Sequence, residues 1–184
     1  HYNPLFIYSS VGMGKTHLLN AIGLEIGNSK KVMFISAERF MYHFVKSIRS
    51  NEMVKFKDFF RKANVFIIDD IQFANGKEAM QEEFFHTFND LMEKNSQIVI
   101  SSDRPPSDLD RIQERIRSRM SGGLVIDIQP PDLELRIKIL KSKFEEIKIN
   151  FKENYHLSDE VFQFLATEIT SNIREMVGAL NRVL

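Results

Sequence analysis

Five short apolar runs punctuate the chain, at residues 5–8, 32–35, 65–68, 98–100 and 124–128, each bounded by polar or turn-forming residues. All are rich in Val, Ile or Phe, and the first four are continuous rather than alternating. A short continuous apolar run fits a strand covered on both faces, as in a parallel sheet. Longer segments with helical spacing lie between the runs. Residues 15–26 bring Leu18, Leu19, Ile22 and Ile26 to one side, residues 39–48 behave alike, and residues 78–91 align Phe84, Phe85, Phe88 and Leu91. Strands alternating with helices imply right-handed crossovers and a doubly wound α/β fold on a five-stranded parallel sheet.

The pattern changes at Gln129-Pro130-Pro131-Asp132. The prolines stop the fifth run, and Asp132 is suited to cap a helix N-terminus. Residues 133–147, 158–169 (opened by Ser158) and 172–184 then read as helices. The expected organisation is an α/β base over residues 1–128 and a three-helix lid over residues 129–184. Strand-like sequence starts at Leu5 and Leu184 falls inside a helical pattern, so the chain reads as an excised domain.

Composition narrows the function classes. Twenty-five basic and twenty-five acidic residues cancel, which argues against a domain that grips duplex DNA by bulk charge. No cysteine is present, which removes disulfides and thiolate chemistry and fits a reducing, cytoplasmic setting. The five histidines, His1, His17, His43, His86 and His156, show no metal-ligand spacing and read as structural. No apolar run approaches the roughly 20 residues a membrane span needs.

The chemistry begins at Ser9-Ser10-Val11-Gly12-Met13-Gly14-Lys15-Thr16, between the first strand and the first helix. The segment matches the phosphate-binding pattern of glycine, four free positions, then Gly-Lys-Ser/Thr, with Ser9 in place of the first glycine. Gly12 and Gly14 let backbone N–H groups turn inward around phosphate oxygens, and the new helix points its positive end at the same anion. Lys15 would reach the β- and γ-phosphates of ATP, and Thr16 would hold Mg²⁺. Ser10, Val11, Met13 and His17 complete the candidate ATP/ADP contacts.

The third run ends in Asp69-Asp70. A strand buried on both faces presents its carboxyl end at the mouth of an α/β sheet, where ligands bind. Asp69 is the candidate Mg²⁺ ligand and Asp70 the candidate that orients the attacking water. Away from a phosphate loop, two such acids would simply end the strand. The fourth run ends in Ser101-Ser102-Asp103-Arg104-Pro105-Pro106, where Asp103 is a candidate for sensing the γ-phosphate or fixing the water, or a cap for the turn.

With these strand ends in place, the chain resembles the AAA+ domain of the bacterial chromosomal replication-initiator family, DnaA, over nearly its whole length. The resemblance rests on Asn3-Pro4-Leu5-Phe6-Ile7-Tyr8, Gly14-Lys15-Thr16-His17-Leu18-Leu19, Ile68-Asp69-Asp70-Ile71-Gln72-Phe73 and Gln81-Glu82-Glu83-Phe84-Phe85-His86. It continues through Ser101-Ser102-Asp103-Arg104-Pro105-Pro106, Arg115-Ile116-Arg117-Ser118-Arg119 and Asn172-Ile173-Arg174-Glu175-Met176-Val177-Gly178.

The resemblance implies an ATPase with slow, switch-like hydrolysis. Arg119 matches an arginine finger that reaches ATP on the neighbouring protomer of a helical filament, and Arg115, one turn earlier, joins the same interface. Unaided by the family, two such arginines would read as solvated surface charge. Arg174 matches the sensor 2 arginine that contacts ATP in cis. Val45, Lys46 and Lys77 match segments that engage single-stranded origin DNA. Ala79 stands where the family commonly carries a second basic residue, so single-strand affinity is expected to be weaker or differently distributed. The resemblance also implies lipid binding, contacts with the replicative helicase and clamp-linked regulators, and further domains before His1 and beyond Leu184. The competing readings are a DnaA-like regulatory adaptor, a helicase loader of the DnaC type and a non-hydrolysing nucleotide-binding scaffold.

Overall fold

The computed structural model describes residues 2–151 and 156–184, so His1 lies outside the described residues. Strands β1 (Leu5–Tyr8), β2 (Val32–Ser36), β3 (Val65–Asp69), β4 (Gln97–Ser102) and β5 (Leu124–Asp127) form one sheet. Its order is β2-β3-β4-β1-β5 and every pairing is parallel. The continuous apolar runs now have a reason. Phe6, Phe66, Ile68, Ile98 and Ile100 enter one core cluster, and Ile7, Val65, Ile67 and Val99 enter another. Successive strand residues point to opposite faces, so a sheet covered on both sides needs apolar residues at every position.

Helix α1 (Lys15–Gly27) supplies Leu19 to the smaller cluster, with Ile22 and Ile26 packed against it. Leu18, expected on the same face, is instead 41% exposed. One residue is a 100° step, which turns Leu18 away while Leu19, Ile22 and Ile26 keep the i, i+3, i+7 stripe. The larger cluster gathers residues of α2 (Ala37–Arg49), α3 (Met53–Phe60), α4 (Glu78–Glu93) and α5 (Glu114–Ser121). Phe6, Phe40, Phe44, Phe56, Phe60, Phe66, Phe84 and Phe88, eight of the sixteen phenylalanines, all lie in it. Ring centroids of Phe56 and Phe60 are 4.8 Å apart, and those of Phe40 and Phe60 5.0 Å.

Helix α3 is too short for its period to stand out in the sequence. It buries Phe56 and Phe60 and is tied to α4 by Lys57 with Glu83 (3.4 Å) and Arg61 with Asp90 (2.6 Å). Ser36 caps α2, its Oγ accepting the Arg39 N–H at 3.2 Å. Helices α2 and α4 begin and end within a few residues of their expected limits.

The chain divides into two compact units, His1–Ser10 with Lys15–Ile128, and Val11–Gly14 with Gln129–Leu184. In the second, α6 (Leu133–Phe151), α7 (Asp159–Glu168) and α8 (Ile173–Val183) enclose Leu140, Phe144, Phe162, Leu165, Met176 and Leu180. Asp132 caps α6, accepting the Leu135 N–H at 2.8 Å. Ser158 occupies the N-cap position of α7 without a side-chain cap. Its hydroxyl instead bonds Glu160, which holds that carboxyl below its usual range. Asn172 caps α8, accepting the Glu175 N–H at 2.8 Å. Among the described residues no helix is long and apolar enough to cross a membrane.

Candidate functional site

The loop after β1 takes its shape from two glycines. Gly12 has φ +80° and Gly14 φ +95°, a region where a Cβ is crowded. Ser9, which stands where the pattern has its first glycine, is not among the described residues with positive φ. That position therefore asks for no glycine, and the departure costs no backbone strain. Ser9 is buried, and its N–H donates to the Ser102 carbonyl at 3.3 Å.

Lys15, the first residue of α1, is also buried, at 7% exposure. Its Nζ donates to the Ser9 carbonyl (2.8 Å), the Ser10 carbonyl (3.1 Å) and the Ser9 hydroxyl (3.3 Å). An ammonium is thus held inside the loop at the start of a 13-residue helix, whose first N–H groups have no partner within the helix. Such a site attracts a multiply charged anion. Within the second unit, the Gly12 carbonyl accepts the Ile173 N–H at 3.0 Å, and a Cβ on Gly12 would meet the Asn172 side chain at 2.8 Å. Arg174 directly follows this contact. Val11 is exposed, Met13 is buried, and Ser10 and His17 are exposed.

The sheet order puts β4 between β3 and β1, so Asp69, Asp103 and the phosphate loop emerge at neighbouring strand ends. Thr16 donates its hydroxyl to Asp69 Oδ2 at 2.7 Å, and Asp69 is 5% exposed. These hard oxygen donors fit Mg²⁺, which usually takes one or two protein oxygens and fills its octahedron with phosphate and water. Among the described residues no cluster of three or more His, Cys, Asp and Glu could cage a metal. The four described histidines are exposed rather than part of the core.

Asp70 adopts a left-handed conformation, φ 57° and ψ 53°. Asp103 is clamped by its neighbour, with Arg104 Nε to Oδ1 at 2.8 Å and Arg104 Nη2 to Oδ2 at 3.0 Å. That hydrogen bond, joined by the charges of Arg104 and Lys15 and opposed by partial burial, holds the Asp103 carboxyl below its ordinary range. At neutral pH Asp103 is therefore an anion and an acceptor, suited to orienting a water rather than to touching a phosphate oxygen. Because its pKa falls on folding, the stability it contributes is present above the unfolded carboxylate range and is lost as pH drops through the folded value.

Two residues absent from the sequence-based set join these groups: Ser101, which bonds both Asp69 and the Asp70 N–H, and Gln72, which bonds Asp70 and the Asp103 N–H. The polar end of an apolar strand hinted at Ser101. Nothing in the spacing singled out Gln72.

On α5, Arg119 is exposed and has no side-chain partner among the described residues. Arg115 is engaged, pairing with Glu82, donating to Gln113 at 2.8 Å and lying 4.6 Å above the Phe85 ring. Val45 and Lys46 line a groove of about 350 Å³ on α2 together with Tyr42, Arg49 and Ser50. Tyr42 and Arg49 fall one turn from Val45 and Lys46, a periodicity that makes them further candidates on that face. Lys77 is half-buried at the N-terminal end of α4, and Ala79 is exposed beside it.

The family described as the bacterial DnaA ATPase domain matches residues 1–127. The chromosomal replication initiator protein DnaA of Rickettsia canadensis is 52% identical over 185 residues, covering 99% of this chain and 39% of that protein. The chain thus spans about two fifths of the length of that relative. Domain III of the Thermotoga maritima replication initiation protein DnaA superposes with TM-score 0.90 at 41% identity, over 98% of this chain and 74% of that one. A replication initiator DnaA bound to AMPPCP and single-stranded DNA superposes with TM-score 0.86 at 38% identity, over 99% of this chain and 55% of that one.

Proposed function

The chain belongs to the bacterial DnaA ATPase-domain family, and from that membership we propose that it is the ATP-dependent core of a chromosomal replication initiator. The observation that carries the reading is the Thr16–Asp69 hydrogen bond beside a loop whose Gly12 and Gly14 have positive φ and whose Lys15 is buried. Lys15 neutralises the β- and γ-phosphates, while Ser10, Val11, Gly12, Met13, Gly14 and His17 form the loop around them. Thr16 and Asp69 hold Mg²⁺, which supplies charge neutralisation across the phosphates when bound. Asp70 orients the attacking water and Asp103 supports it. Hydrolysis is slow and serves to switch the protein off.

Arg119 completes the site of a neighbouring protomer in a helical assembly. Its exposure and lack of a partner among the described residues support that role, because a guanidinium that meets phosphate only across an interface makes assembly depend on the third phosphate. Arg115 belongs to the same protomer interface, where its pairing with Glu82 and its place over the Phe85 ring keep it on the exposed surface of α5. Arg174 reports the bound nucleotide. The protein works in the cytoplasm, and its further partners are the replicative helicase and clamp-linked regulators. Family membership does not favour the adaptor and helicase-loader readings.

Single-stranded DNA follows α2 and the start of α4. Lys46 and Lys77 meet the backbone, and Val45 packs against it. Lys77 supports this role: a cation at the positive end of α4 opposes the helix dipole, so it adds little to stability. Fluorescence anisotropy of a labelled oligothymidine, with a non-hydrolysable ATP analogue and Mg²⁺, tests the reading. Lys46→Ala and Lys77→Ala are each expected to weaken binding three- to tenfold and to lower the salt slope by about 0.7 per lost phosphate contact. Equal affinity in ADP, or no effect of either variant, would contradict it.

A further inference from the structure

We propose that Ser101 and Gln72 are positioning residues that set the geometry of the two site aspartates. The inference rests on reading Asp69 as the Mg²⁺ ligand and Asp70 as the water-orienting carboxylate. Five hydrogen bonds link the first turn of α1 to the ends of β3 and β4 in series. Thr16 Oγ1 donates to Asp69 Oδ2 at 2.7 Å, and the Ser101 hydroxyl donates to Asp69 Oδ1. The Asp70 N–H donates to Ser101 Oγ at 2.8 Å. Gln72 Nε2 donates to Asp70 Oδ1 at 3.0 Å, and Gln72 Oε1 accepts the Asp103 N–H at 3.3 Å.

Each group matches its partners. A serine hydroxyl carries one donor and two acceptor sites, and Ser101 spends the donor on one aspartate and accepts from the backbone of the next. The Gln72 amide has its NH₂ against a carboxylate and its oxygen against an N–H, so its orientation is fixed by its neighbours. Asp70 is the residue most in need of such support. Its φ of 57° is a conformation that non-glycine residues keep only where the surroundings over-determine it, although aspartate tolerates it better than most. Ser101 is fully buried on β4, where an apolar residue would continue the strand. The position carries a hydroxyl whose two partners are both site aspartates. A shift of Asp69 and Thr16 around a metal would be carried through Ser101 to Asp70 and through Gln72 to Asp103.

Two variants and two kinds of readout test the proposal. In the nucleotide-free protein, Ser101→Ala is expected to speed amide hydrogen exchange at Asp70 at least tenfold. In turnover, Ser101→Ala and Gln72→Met should each lower kcat for ATP about tenfold, while the calorimetric Kd for ADP stays within threefold. Unchanged Asp70 exchange together with unchanged kcat would overturn the proposal. So would a loss of ADP affinity as large as the loss of kcat, because that is the mark of a general structural defect. If the unaltered protein fails to bind or hydrolyse ATP, the parent reading fails by itself. The exchange rate at Asp70 still reports whether Ser101 holds the strand end.

Discussion

Lys15→Ala is expected to weaken ATP and ADP binding by at least about a hundredfold, ~2.8 kcal/mol at 1.4 kcal/mol per tenfold. The size follows from the local geometry. The Lys15 ammonium is buried and anchored on Ser9 and Ser10 carbonyl oxygens, so the loop already holds a fixed positive charge where phosphates would enter. Charge-assisted hydrogen bonds in a partly dehydrated site are about twice as strong as neutral ones, and alanine removes all of them at once. The loop also loses the cation that satisfies its own carbonyls, so a modest fall in melting temperature should accompany the lost affinity. Calorimetric titration with ADP and Mg²⁺ reads the first effect and a thermal melt the second. Retained micromolar binding by a folded Lys15→Ala protein would remove Lys15 from the site.

The largest effect on folding is expected at Gly123, one residue before β5. A Cβ there would meet the Pro4 carbonyl oxygen at 1.9 Å, with Pro4 N at 2.7 Å and Pro4 C at 2.8 Å. These are backbone atoms, and the same Pro4 carbonyl accepts the Leu124 N–H at 3.0 Å, where β5 starts to pair with β1. Gly123→Ala must therefore part the two strands or break that pairing. Overpacking of this kind costs about 3 kcal/mol or more, a large part of the 5–15 kcal/mol that holds a typical domain folded. At roughly 2–4 °C per kcal/mol for a chain of this size, the melting temperature should fall by roughly 6–12 °C. Calorimetric or circular-dichroism melts of the variant check this, and an unchanged melt would mean that the strands are not so closely opposed. The sequence showed only a Gly-Gly pair before an apolar run. Which glycine matters, and why, depends on a neighbour 119 positions earlier in the chain.

How far the sequence could be read follows the same physics. The strands were legible because a sheet covered on both faces forces uninterrupted apolar runs, and the register then placed Asp69 and Asp103 at adjacent strand ends. Short helices were harder. Helix α3 has too few residues to display its period, although Phe56 and Phe60 sit one turn apart as core residues must. Leu18 reads as inward-facing because it is apolar, yet its angle around α1 turns it outward. The phosphate loop is visible as a motif, and its departure at Ser9 costs nothing because, within the loop, the positive φ values fall at Gly12 and Gly14. Ser101 and Gln72 could not be read as a pair, because their partners are matched by strand order and by the 3₁₀ turn of Ile71–Ala74 after β3. The role given to Arg119 came from resemblance alone, since an exposed arginine on a short helix has no intrinsic signature.

In the proposed assembly, ATP joins one copy of this chain to the next through Arg119. Sedimentation velocity tests it most directly, comparing the unaltered protein and Arg119→Ala, each saturated with Mg²⁺ and either a non-hydrolysable ATP analogue or ADP. Large species are expected only for the unaltered protein with the ATP analogue, while Arg119→Ala binds the analogue with unchanged affinity and sediments as it does in ADP. Assembly of Arg119→Ala equal to that of the unaltered protein, or assembly indifferent to the third phosphate, would contradict it.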